Sequence, residues 1–223
     1  MSDFTGRTVV VTGASGALGA GLASAFSDAG AEVVGVDRAA PDERALVAGV
    51  RYETADLTDD AHVAALLDGV GTPWAVVNTV GGFAPRSSLH ELDPEELEGQ
   101  LHLNLMTAAV VTKHALRVMN PIGEGRIVLT SSRAAHETKS NGFAYSVSKL
   151  AVLHLVRMAA EEVAGTGITV NGVVPSIIDT PANRASMPDS DHDRWPKVPD
   201  IAGTYLFLAS PTSQLVNGAA VPV

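Results

Sequence analysis

Tyr145 and Lys149 stand four residues apart, and an apolar run follows them through Leu150, Val152, Leu153 and Leu155. At helical spacing both side chains leave one face of the first turns. An ammonium beside a phenol favours the phenolate, so the pair predicts a tyrosine whose pKa lies below its usual value near ~10. A phenol tuned that way can give or take a proton at neutral pH, which is general acid–base chemistry. Hydroxyls wait a short way upstream at Ser131 and Ser132, and the stretch from Ser132 to Lys149 is the candidate centre. Alone, a Tyr/Lys pair equally describes an ordinary surface pair. The elements around it decide.

Residues 7–12 form a short β-branched run that suits a buried parallel strand. Gly13, Ser15, Gly16, Ala17, Leu18 and Gly19 follow, and a small-residue helix continues to Gly30. A strand, a glycine-rich turn and a helix start make a seat for a pyrophosphate. The missing side chains let the backbone approach, and the helix N-terminus faces the charge. Residues 32–36 make a second strand ending at Asp37, about 20 residues past the turn, where a carboxylate takes both ribose hydroxyls of an adenosine. The same charge repels a 2′-phosphate, which favours NAD(H) over NADP(H). The adjoining Arg38 softens that preference and leaves NADP(H) open.

Residues 50–53 read as a third strand, followed by Asp56, Leu57 and an amphipathic helix to about Gly69. Asp56 serves either the adenine edge or the helix start as its cap, and capping is the simpler role. Residues 74–77 make a fourth strand, with Asn78, Val80, Gly81 and Gly82 at its carboxyl end, a second place for close backbone approach. A long helix spans about 93–119 with Leu97, Leu101, Leu105 and Ala108 or Ala109 on its apolar stripe. Asn104 falls in its middle, where asparagine is a poor choice unless something needs its side chain. Residues 125–130, 168–174 and 219–223 supply the remaining strands, with the Tyr145 helix running to about Gly165 and a last helix over 200–209. Strands alternating with helices predict a Rossmann-type doubly wound parallel α/β sheet of about seven strands, with helices on both faces, in one domain over 1–223. Residues 176–199 show little periodicity and read as a substrate lid.

The chain carries 15 Lys and Arg against 25 Asp and Glu, a net charge of −10. That balance argues against nucleic acid or an anionic membrane as partner. Without cysteine, neither disulfides nor thiolate metal centres are available, and no metal site is read elsewhere. The first residues lack a signal-peptide pattern and no apolar run reaches membrane-spanning length, so a cytoplasmic location is expected.

Over nearly its whole length the chain resembles the short-chain dehydrogenase/reductase family. Thr12-Gly13-Ala14-Ser15-Gly16-Ala17-Leu18-Gly19 is similar to its Thr-Gly-x-x-x-Gly-x-Gly, with Ala17 in place of the middle glycine. Asn78-Thr79-Val80-Gly81 stands where the family has Asn-Asn-Ala-Gly, and Pro175-Ser176, with Ile178 and Thr180, where it has Pro-Gly after the sixth strand. Asn104, Ser132, Tyr145 and Lys149 match its four catalytic positions. The resemblance implies hydride transfer between a nicotinamide and a carbonyl or secondary alcohol of a small-molecule substrate. Tyr145 would be the general acid/base, and Ser132 would hold the substrate oxygen. Lys149 would tune Tyr145 and grip the nicotinamide ribose, while Asn104 holds a water linking Lys149 to solvent. Ile178 and Thr180 would orient the carboxamide. A homodimer or homotetramer through the helices at about 93–119 and 143–164 is also implied.

Two other readings stand beside it. Residues 16–19, the stretch 179–189 and Trp195 are similar to quinonoid dihydropteridine reductases, which generally lack the serine that Ser132 supplies here. From a different class, a catalytically silent NAD(H)-binding sensor or scaffold would keep the fold without the chemistry.

Overall fold

The structure is a computed structural model that describes residues 3–42, 46–83, 87–137 and 142–223; residues 138–141, within the stretch joining Ser132 to Lys149, lie outside the described residues. The strands are β1 (Thr8–Thr12), β2 (Glu32–Asp37), β3 (Val50–Thr54), β4 (Ala75–Asn78), β5 (Glu124–Thr130), β6 (Gly167–Val174) and β7 (Ala220–Pro222). They form one sheet in the order β3-β2-β1-β4-β5-β6-β7, with every pairing parallel. Parallel strands covered on both faces need apolar residues at successive positions, and β1 shows why. Val9 and Val11 pack against α1 (Ala17–Asp28) and α7 (Val198–Ala209), whereas Val10 packs on the other side with α2 (Asp60–Val70), α4 (Thr107–Met119) and α5 (Phe143–Glu162). The predicted doubly wound sheet is therefore the observed one. Its strand order reverses between β1 and β4, and the crevice at their carboxyl ends is where such sheets hold ligands.

The helix predicted over 93–119 is present but not uniform. Asp93 caps α3 (Pro94–Gln100) by accepting the Glu95 N–H at 3.0 Å. A six-residue π-helical segment, Leu101–Met106, then leads into α4. A wider turn accommodates an extra residue and rotates the side chains that follow, a device common at functional sites. It turns Asn104 inward to 1% exposure while Leu103 and Met106 stay exposed.

Two local expectations are corrected. Asp56 does not cap α2: Asp59 does, accepting the N–H groups of Ala61 at 2.8 Å and His62 at 3.0 Å. Asp56 instead closes a local turn by accepting from the Thr58 N–H and hydroxyl, and those bonds hold its carboxyl below the usual range. The segment after β6 is also more regular than its weak periodicity predicts. It contains α6 (Pro181–Ser186), capped by Thr180, and a 3₁₀ turn at His192–Arg194. Asp179 closes it end to end, pairing with Arg184 at 2.5 and 2.9 Å while its N–H donates to Pro196 O at 2.9 Å.

Helix α1 lies so close to the first turn that a Cβ on Gly19 would come within 2.1 Å of the Gly13 carbonyl oxygen. Because the obstructing atom is backbone, nothing can swing aside. Gly19→Ala is expected to cost about 1–3 kcal/mol of stability, as overpacking does, and a urea titration showing an unchanged midpoint would contradict this packing account.

Candidate active site

The crevice is built from strand ends. After β1 the chain turns at Gly13, whose φ of +72° suits glycine, and reaches the α1 N-cap at Gly16. Unlike α2 and α3, α1 receives no side-chain cap and has no acidic residue in its first turn. Its free N–H groups and dipole face the crevice, as an anion requires. Ala17, at the family's middle glycine, begins the helix with a backbone any residue adopts, and its side chain is exposed. The glycine constraints fall on Gly13 and Gly19 instead. Asp37, at the end of β2, leans over the turn: its carboxylate accepts the Ser15 N–H at 3.1 Å and the Arg38 N–H at 2.8 Å. Leu18 packs against the core beside α1, and Leu57 is buried in the opposite cluster, leaving only its main chain for a ligand. These features fit a dinucleotide: an uncapped helix start for phosphate, glycines where a side chain would intrude, and a carboxylate at the second strand.

The catalytic candidates converge on the ends of β4 and β5. Lys149 is 4% exposed, and its ammonium donates to Thr130 O at 3.2 Å. Ser131 Oγ donates to the Lys149 carbonyl at 2.8 Å, tying α5 to the β5 end. Asn104 clasps the backbone of Gly82, accepting its N–H at 3.0 Å and donating to its carbonyl at 3.1 Å. The same amide nitrogen reaches Ser148 Oγ at 3.0 Å and Gln100 Oε1 at 3.2 Å, and Ser148 Oγ donates to Tyr145 O at 2.8 Å. Gly81 sits between these groups. A Cβ there would fall 2.7 Å from both Asn104 Oδ1 and Lys149 Nζ. Gly81 therefore makes room for the Asn104 and Lys149 side chains.

Ser132 follows β5, accepts the Ala134 N–H at 3.2 Å and lies on the same cavity wall as Tyr145, close enough to act on its phenol. Phe83 meets the Tyr145 ring edge-to-face at 5.1 Å. The expectation of a lowered tyrosine pKa is not met. Burial pushes the Tyr145 phenol above its usual value, and the Ser132 hydroxyl offsets part of that rise. Lys149 bears the larger change: burial brings its ammonium down to about 8. Two groups predicted to share a charge are thus both dominated by desolvation, which disfavours the charged form of each.

Several supporting residues were not singled out from sequence. Tyr205, fully buried on α7, donates to Thr130 Oγ1 at 3.0 Å, and that hydroxyl donates to Asn78 O at 2.8 Å. Thr12 Oγ1 donates to Asn78 Oδ1 at 2.5 Å, so β1, β4, β5 and α7 are bonded together beneath the site. A sequence signal did exist for Gln100, a polar residue one helical turn before Asn104 in a leucine-rich stretch. None existed for Tyr205, whose partner lies 75 positions away.

A cavity of about 550 Å³ opens above these groups, lined by Gly81, Phe83, Ser132, Tyr145, Ile178 and Met187 among others. Pro175 lines it too, and its carbonyl accepts the Arg133 N–H at 2.9 Å. Thr180, by contrast, spends its hydroxyl on the α6 cap, accepting the Asn183 N–H at 3.2 Å. Asn78 is buried below the cavity, and Val80 is half-buried beside Gly81.

Two tests follow from this geometry. Gly81→Ala should displace Asn104 and Lys149 and lower kcat about a hundredfold; undiminished turnover would mean that their placement is not demanding. The second concerns pH. Lys149 has a folded pKa of about 8, below its ordinary 10.5. Below the folded value it is charged in both states and the burial cost is carried in full. Between the two values the unfolded chain binds more protons, so stability rises with pH. Lys149→Met should therefore unfold at higher urea than the parent protein at neutral pH, and the gap should narrow as pH climbs through that window. A parent protein that is the more stable of the two at neutral pH would overturn the assignment.

A family model described as enoyl-(acyl carrier protein) reductase matches residues 13–223. The cis-4-hydroxycyclohexanecarboxylate dehydrogenase of Sinomonas cyclohexanicum is 34% identical over 238 aligned positions, covering 99% of this chain and 96% of that protein. Among solved structures, a short-chain type dehydrogenase/reductase from Mycobacterium ulcerans superposes with a TM-score of 0.91 at 30% identity, over 99% of this chain and 89% of the other. A gluconate 5-dehydrogenase from Burkholderia cenocepacia J2315, solved with NADP and tartrate, gives 0.88 at 25% identity, over 99% and 94%. Likeness at this level across the full sheet, and not in the nucleotide turn alone, means that the chain belongs to the short-chain dehydrogenase/reductase family and is an NAD(P)-dependent oxidoreductase of that class.

Proposed function

We propose that the protein reduces a carbonyl of a small molecule to a secondary alcohol, and the reverse, with Tyr145 as the proton donor and acceptor. The observation that carries this reading is that Ser132 and Tyr145 line one cavity together, with the serine hydroxyl near enough to the phenol to offset part of its pKa rise. Two hydroxyls so placed can both engage one substrate oxygen. The turn over residues 13–19 and Asp37 would hold a nicotinamide cofactor along the crevice, which would supply or accept the hydride. Tyr145, whose raised pKa keeps it protonated at neutral pH, gives its proton to the carbonyl oxygen, and Ser132 stabilises the charge developing there. The carbonyl carbon gains the hydride, its oxygen gains the proton, and Tyr145 recovers a proton from solvent. Lys149 contributes its charge near the phenol, with its ammonium 5.9 Å from the Tyr145 ring centre. Asn104 holds the Gly82 backbone, and its neighbourhood to Lys149 supports the water-linking role. Ile178 and Thr180 would orient the carboxamide.

For the cofactor, Asp37 supports NAD(H). Arg38, close enough to Asp56 to help lower that carboxyl, stands beside Asp37 as the group that could accept a 2′-phosphate. The neighbour solved with NADP keeps NADP(H) in the comparison. Exposed Leu103 and Met106 on the π segment and Leu150 and Met158 on α5 support a homodimer or homotetramer through those helices; a light-scattering mass of one chain would remove that part of the reading. Among the described residues no helix is long and apolar enough to cross a membrane.

The deciding experiment follows NADH and NADPH oxidation against a panel of ketones, aldehydes and a freshly made quinonoid dihydropterin. Tyr145→Phe should abolish carbonyl turnover, and Ser132→Ala should lower kcat about a hundredfold or more. Turnover of the pterin alone, insensitive to Ser132→Ala, would favour the dihydropteridine reductase reading. Cofactor binding with no turnover would favour the sensor.

A further inference from the structure

Beside the catalytic cavity lies a second one of about 420 Å³, lined by Arg133, Ser176, Ile177, Asp191, Arg194 and Trp195. Arg133, Ser176 and Ile177 line both, so the two chambers meet along that wall. Several polar side chains between β6 and α7 are spent on folding the segment. Asp179 pairs with Arg184, Asn183 Nδ2 donates to Ile178 O at 2.8 Å, His192 bonds Met187 O at 2.8 Å, and Asp200 accepts the Lys197 N–H at 2.9 Å. Four others line the second chamber. The Ser176 hydroxyl, the Asp191 carboxylate, the Arg194 guanidinium and the Trp195 indole N–H make no side-chain hydrogen bond or ion pair among the described residues. Arg133 differs, being paired with Glu137 at 2.9 Å.

The charge balance selects among possible occupants. Glu137 offsets Arg133, and Asp191 faces the same space as Arg194. An anionic tail would thus meet a carboxylate without a net positive field to hold it. A hydrocarbon tail would dehydrate four polar groups and bond none of them. A hydroxyl both donates and accepts, so a chain of hydroxyls can donate to Asp191 while accepting from Arg194, Ser176 and Trp195. The indole face of Trp195 and the side chain of Ile177 suit the C–H edge of such a chain. We propose that the second chamber binds a polyhydroxylated tail, making the substrates ketoses and the polyols formed from them. The ketone then lies at Ser132 and Tyr145, and the tail passes Ser176 and Ile177 to reach Asp191 and Arg194. This rests on the carbonyl-reductase reading above, whose own test is Tyr145→Phe.

The test has two arms. In the first, kcat/KM is compared for xylulose, 2-pentanone and the anionic 4-oxopentanoate. Each hydroxyl engaged should be worth about tenfold, so xylulose should exceed 2-pentanone about a hundredfold. Asp191→Asn and Arg194→Gln should each shrink that ratio about tenfold. A ratio near one, or 4-oxopentanoate ahead of xylulose, would overturn the proposal while leaving the reductase reading intact. The second arm needs no turnover. Xylitol and 1-pentanol are titrated into the protein with NAD present, reading Trp195 emission against a Trp195→Phe control. Saturable quenching by xylitol alone, weakened about tenfold in Asp191→Asn, supports the site even if no carbonyl is reduced, an outcome that would remove the reductase reading instead. Equal responses to both alcohols, or none to xylitol, would overturn it.

Discussion

Lys149 takes an ammonium group into an almost fully buried position at the cavity floor, and the rest of the site is arranged around that burial. Its hydrogen bond to Thr130 O offsets part of the desolvation, and its pKa of about 8 records the remainder. Such a charge persists only where the surroundings leave it no other place. Thr130 is therefore held on its own account, through Tyr205 above and Asn78 beside it. Tyr205 stays a reliable donor because complete burial pushes its phenol far from ionisation. Stability given up at the lysine is recovered in the packed sheet below, the usual trade between a poised site and a stable fold.

The parallel sheet makes this arrangement possible. Its strands end together at one edge, so β4 and β5 deliver Gly81, Gly82, Ser131 and Ser132 to the same level. Helices on one face then supply what the strand ends lack: Asn104 from the π segment, Tyr145 and Lys149 from α5. The π segment is the less obvious contribution. A regular α-helix across these positions would turn Asn104 differently and release Gly82, so a local irregularity sets the spacing of a rigid site.

The segment between β6 and α7 shows the same division of labour. One set of polar groups folds it, with Asp179 and Arg184 as the clasp, and another set faces the chambers. A segment tied at both ends can present side chains to a substrate without losing its own shape, which is how binding surfaces combine order with specificity.

Much of this was legible in the sequence, because it depends on local pattern. The unbroken β-branched run of β1 and the short valine-rich runs of β2 and β4 mark strands buried on both faces. Gly13 and Gly19 mark a turn pressed against a helix, and Tyr145 and Lys149 mark one helical face. These signals lie within a few residues of each other, where spacing alone dictates geometry. What the tertiary structure decided lies across the fold. Asn104 turns inward because of a π segment that no periodicity announces. Asp59, and not Asp56, caps α2, since the helix starts three residues later than the nearer carboxylate implies. The shift in Tyr145 runs upward because desolvation, a property of everything packed around it, outweighs the charge four residues away. Spacing determines which groups can meet; burial, set by distant chain segments, determines what state they are in when they do.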